Sequence, residues 1–60
     1  MQTSEIETYA RQLFDQMGAK SIAHAAQKAA QATEDGDGED AKTWRRIEEA
    51  LMGMRGPHQG

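Results

Sequence analysis

Ser21-Ile22-Ala23-His24-Ala25-Ala26-Gln27-Lys28-Ala29-Ala30-Gln31-Ala32 is the stretch on which the reading of this chain turns. Half of its residues are alanine, the best helix former, and no glycine or proline interrupts it. At about 100° per residue, Ile22, Ala26, Ala29 and Thr33 point one way. Ala19, Ala23 and Ala30 widen that face to one side, and Ala25 and Ala32 widen it to the other. The apolar arc is then about half the helix, broad enough for two partner helices, while Lys20, His24, Gln27, Lys28 and Gln31 are expected to face water.

Working towards the N-terminus, Gly18 is the natural end of an earlier helix, because the residue just past a helix end often needs a positive φ. That earlier helix is strongly amphipathic. Ile6, Tyr9, Ala10, Leu13, Phe14 and Met17 share one face, with Thr8, Arg11 and Asp15 opposite. Ser4-Glu5-Ile6-Glu7 reads as a capping box that starts it, after a frayed Met1 to Thr3. The joint to the alanine helix is short and has no strong cap, since Ser21 falls late. On the other side the helical pattern ends at Thr33-Glu34, and Asp35-Gly36-Asp37-Gly38 is the densest turn signal in the chain. Gly36 closes the second helix and Asp37 caps a third, which directs Trp44, Ile47, Leu51 and Met54 inward with Ala41 and Ala50 beside them. Lys42, Arg46 and Glu49 face away, and Arg45 can reach Glu49 one turn on. Gly56-Pro57 stops this helix, leaving 56–60 as a disordered tail.

No strand-like alternation occurs. The expected fold is all-α: a compact three-helix arrangement at about 4–17, 20–34 and 38–54, with the alanine-rich second helix central and residues 1–55 forming one domain. A chain of 60 residues buries only about 60% of its unfolded surface and sits near the limit of independent folding. It has no cysteine, so neither a disulfide nor a thiolate metal site is available, and the composition leans towards the cytoplasm. The N-terminal stretch is acidic and polar, unlike a secretory signal, and no apolar run approaches the roughly 20 residues of a membrane span.

Charge is unevenly spread along the chain, whose formal net charge is -3. Glu34, Asp35, Asp37, Glu39 and Asp40 place five acids in seven residues. As a calcium loop starting at Asp35 the run fails in register, because position 6 is Asp40 instead of glycine and position 12 is Arg46 instead of glutamate. A turn with helix-capping acids is the better reading. Lys42, Arg45 and Arg46, with Thr43 among them, could act as a nucleic-acid recognition surface, but the acids just before them repel phosphate and the basic residues look dispersed around the helix. His24 has no carboxylate or second ligand three or four residues away, and His58 lies in the tail, so neither marks a metal or catalytic site. No serine has a histidine and an acid in a plausible arrangement, and no glycine-rich loop follows a strand. The chain carries no visible enzymatic machinery and calls for no cofactor. The residues best suited to a protein contact are Tyr9, Phe14, Trp44 and Met52, on a docking partner or on a second copy.

Two resemblances follow from these residues. His24-Ala25-Ala26-Gln27-Lys28-Ala29, then Gly36-Asp37, Ala41 and Trp44-Arg45-Arg46-Ile47-Glu48-Glu49-Ala50-Leu51, resembles a group of short helical proteins of alphaproteobacteria that have no assigned function, over about residues 5 to 55. More loosely, the same stretch is similar to the helix pairs of tetratricopeptide repeats, with Trp44-Arg45-Arg46-Ile47 echoing their tryptophan-to-leucine spacing. Glu48 stands where the repeat has glycine, and there is no self-similarity at the period of about 34 residues. The second resemblance implies closely packed helices and protein binding, and no activity. The function expected is a non-catalytic interaction module or adaptor subunit, with a small nucleic-acid-associated regulator as the alternative.

Overall fold

The computed structural model describes residues 3–54, and these form three α-helices. α1 spans Thr3–Met17, α2 spans Lys20–Glu34 and α3 spans Gly38–Met54. There is no strand among the described residues. Met1, Gln2 and residues 55–60, including the expected tail, lie outside them.

The two joints are built from backbone chemistry that the sequence announces. Gly18 takes φ +65° and donates its N–H to the Phe14 carbonyl at 2.7 Å, which closes α1. Its own carbonyl then accepts both the Ser21 N–H at 3.0 Å and the Ser21 hydroxyl at 2.6 Å. Ser21 is thus a fully buried polar residue whose hydroxyl is satisfied, rather than a cap. Ala19 precedes α2 without any side-chain cap, as its chemistry requires.

The second joint, residues 35–37, is one residue longer than the first. Gly36 takes φ +80° and donates to the Thr33 carbonyl at 3.1 Å, while the Asp37 N–H reaches back to the Ala32 carbonyl at 2.8 Å. This pair of bonds is a Schellman motif. The Asp37 carboxylate accepts the Asp40 N–H at 3.1 Å, and its carbonyl accepts the Ala41 N–H at 3.0 Å. One residue therefore ends α2 and starts α3, and α3 turns back along its neighbour.

At the start of α1 the structure departs from the capping-box reading. The helix is already under way at Thr3, so Ser4 is helical and its carbonyl accepts the Thr8 hydroxyl at 2.9 Å. A residue within the helical turn cannot have the extended backbone that an N-cap needs. Thr33 and Thr43 bond one turn back in the same manner, to Ala29 and Glu39.

The core consists of Ile6, Ala10 and Leu13 from α1, Ala25 from α2, and Ile47 and Leu51 from α3. Tyr9, Phe14, Met17, Ile22, Trp44, Ala50 and Met54 pack against it partly buried. The largest interface is α2 with α3; α1 lies mainly along α3 and touches α2 much less. The alanine helix is therefore half of the most closely knit pair, while α3 is the helix that packs broadly on both neighbours.

The side that α2 turns inward also differs from the angular expectation. Its buried residues are Ser21, Ala25, Ala29 and Ala32; Ile22 and Ala26 are half-buried, and Ala19, Ala23, Ala30 and Thr33 are exposed. The helix is rotated by roughly 70° from the arc centred on Ile22 and Ala26. Alanines cover about half of its circumference, so its own apolarity discriminates weakly between orientations within that half. Small residues at 21, 25, 29 and 32 let the bulky Ile47 and Leu51 approach, and that decides the rotation.

Ala29→Glu places a carboxylate at a fully buried position and is expected to unfold the domain, at a cost above about 3 kcal/mol. Ala23→Glu and Ala30→Glu, on the exposed arc, are expected to change stability by less than about 0.5 kcal/mol. Thermal melts followed by far-UV circular dichroism separate the two outcomes, and equal effects would mean that α2 is turned otherwise. Removing the cap with Asp37→Ala is expected to lower the unfolding free energy by about 1 kcal/mol, with Asp37→Asn retaining most of it. Urea denaturation measures the difference.

Candidate functional site

Trp44 is the centre of the only aromatic cluster among the described residues. It lies on α3 one turn before Ile47 and Glu48, at the edge of the buried stripe, and stays partly exposed. Tyr9 of α1 meets it edge-on, with ring centroids 5.9 Å apart and planes at 73°. His24 of α2 meets it from another helix, again at 5.9 Å, with planes at 79°. Each helix thus contributes one ring to a partly exposed group, and T-shaped pairs of this kind are favourable beyond their buried area.

This placement of His24 corrects the expectation that it is solvated beside Lys20 and Lys28. Both lysines are exposed, but His24 is half-buried. The cause is the rotation of α2. With Ser21 and Ala25 inward, the position between them falls at the margin of the packed face, within reach of α3. Ser21 is the signal that could have revealed it, since counting that serine as inward moves His24 to the border of the buried stripe.

The four residues expected to make a protein contact do not form one surface. Tyr9 and Trp44 touch. Phe14 is about 140° from Tyr9 around α1 and flanks the other side of that helix's buried stripe. Met52 is exposed at 47%, two turns beyond Trp44 on α3 and about 80° around the helix. The structure therefore joins Tyr9 and Trp44 with His24 and leaves Phe14 and Met52 apart.

The basic residues are more closely grouped than the sequence reading allowed. Lys42, Arg45 and Arg46 line one shallow depression together with Glu49. Three- and four-residue spacings gather them within roughly 100° of arc. They are not a purely basic surface, because Glu49 sits among them and Arg45 Nη1 lies 3.4 Å from Glu48 Oε1. That pair forms with Glu48, three residues on, rather than with Glu49. Arg45 is well exposed, so the pair contributes little to stability.

Among the described residues no three histidine, aspartate or glutamate side chains come together in a way that could hold a metal ion. The acids of residues 34–40 instead serve the corner, Asp37 through its cap and Glu39 and Asp40 in the first turn of α3, where the helix dipole favours them. No helix among the described residues is long and apolar enough to cross a membrane. No protein-family model matches the chain, and no curated protein or solved structure shows significant similarity to it.

His24→Ala removes one of the two edge contacts to Trp44. It is expected to destabilise the domain by about 1 kcal/mol and to shift the emission of Trp44, the lone tryptophan. A fluorescence-monitored urea titration reads both effects, and a silent substitution would place His24 in solvent.

Proposed function

We propose that this chain is a non-catalytic protein-interaction module, an adaptor or accessory subunit that docks on a partner protein or on a second copy of itself. The observation that carries this reading is the partly exposed Tyr9–Trp44–His24 cluster. Tryptophan and tyrosine are the residues most enriched at energetically dominant contact points, and here all three helices converge to present them. A partner that binds only the folded form of so small a domain stabilises it by mass action, which supplies a physical reason for association. Met52 and Phe14 would serve separate, peripheral contacts. A cytoplasmic setting agrees with the cysteine-free composition.

A second reading draws on the grouping of Lys42, Arg45 and Arg46 along one depression. It makes the chain a small nucleic-acid-associated regulator. Glu49 within the group and the acids ahead of α3 weigh against it by repelling phosphate.

Sedimentation over a concentration series tests the self-association branch. The mean mass is expected to rise with concentration for the unaltered chain and to stay monomeric for Tyr9→Ala. If the unaltered chain is monomeric throughout, affinity capture with and without Tyr9→Ala tests the partner branch. Retention of nucleic acid instead of protein, lost as salt is raised, would replace the leading reading with the second.

A further inference from the structure

Between the C-terminal half of α2 and the N-terminal half of α3 runs a groove lined by Lys28, Gln31, Ala32, Asp35, Asp40 and Trp44. Helical spacing arranges these residues in two rows. Lys28 and Gln31 are three apart on α2, with Asp35 four further on at its C-cap, and Asp40 and Trp44 are four apart along α3. Because α3 turns back along α2 at the Asp37 corner, the carboxylates of Asp35 and Asp40 lie at the corner end. Trp44 lies further along α3, and Lys28 is the lining residue of α2 furthest from the corner.

The two carboxylates are not spent on the fold. Asp37 is the acid whose side chain caps α3, whereas Asp40 takes part in that cap through its backbone N–H. Among the described residues the Arg45–Glu48 pair is the one salt bridge, so neither Asp35 nor Asp40 has a basic partner among them. Both are exposed, and they stand within a run that carries five negative charges over residues 34–40. These two acids, one just past the end of α2 and one in the first turn of α3, stand next to a partly exposed indole and form a site complementary to a flat cation.

We infer that this groove receives an arginine side chain from a basic segment of the partner. The guanidinium lies between the Asp35 and Asp40 carboxylates, and its stem packs on the exposed part of Trp44. The inference rests on the interaction-module reading and narrows it to the chemistry of the partner. Arginine suits the site better than lysine because its planar fork has five donors and can serve two carboxylates at once, and because it packs well on aromatic rings. Lys28 acts in the opposite sense. Its ammonium opposes a second cation at that end, so it gives the groove a direction.

The test is a titration of the full chain at pH 8 with an acetylated, amidated peptide of alternating glycine and arginine, followed by Trp44 fluorescence. An otherwise identical peptide with uncharged citrulline in place of arginine is the control. The arginine peptide is expected to give a saturable change that fades as salt is raised towards 1 M, where the screening length is about 3 Å. Asp35→Asn and Asp40→Asn are each expected to weaken binding about threefold. Lys28→Ala is expected to strengthen it about twofold. Asp15→Asn on α1 alters net charge equally but lies outside the groove, and should leave the affinity unchanged. Circular dichroism of each variant verifies that the fold is retained. Absence of saturable binding, an equal response to citrulline, equal loss in Asp15→Asn, or weakening by Lys28→Ala overturns the inference. Each of these leaves self-association and partner capture through Tyr9 to judge the broader reading separately.

Discussion

The close approach of α2 and α3 is the constraint on which the rest of the molecule depends. It has two parts, one made of hydrogen bonds at the corner and one steric along the interface. At the corner, Asp37 donates back to Ala32 and accepts from Asp40 and Ala41, so the last turn of one helix and the first turn of the next share a single residue. Along the interface, Ser21, Ala25, Ala29 and Ala32 have side chains too small to hold the helices apart. Ile47 and Leu51 fill the space that this leaves and are buried almost completely. α1 then completes the core by laying Ile6, Ala10 and Leu13 over the same pair.

The candidate site is a consequence of that packing. The core buries Ile6, Ala10, Leu13, Ala25, Ile47 and Leu51, with Trp44 packed against it partly buried. Trp44 therefore stays at the margin, held by the edges of Tyr9 and His24, with one side directed to the groove beside the corner. Its exposure and its order come from the same arrangement. An ordered aromatic ring loses little conformational freedom when a partner covers it, which is what makes such a group suitable for docking.

Much of this architecture was legible in the residues. Gly18 and Gly36 adopt the positive φ that their positions required, and Asp37 is the cap it was expected to be. The amphipathic faces of α1 and α3 point where their large side chains direct them, because misplacing Ile6, Leu13, Ile47 or Leu51 would forfeit substantial burial. The alanine helix was legible in extent and illegible in rotation. Each alanine contributes so little burial that turning the helix by one position changes its own energy only slightly. The Tyr9–Trp44–His24 group escaped for the same reason, since it exists only once α2 is turned to bring His24 against α3.

Local chemistry written in the chain determined the three helices, the joints at Gly18 and at Gly36-Asp37 and the all-α class, because propensity, capping and glycine conformation act over a few residues. The tertiary structure alone decided which side of the alanine helix is buried and that α3 is the helix packed broadly on both others. Those outcomes depend on large side chains from other helices competing for the same space. A stretch paved with alanine has too little size contrast of its own to settle that competition.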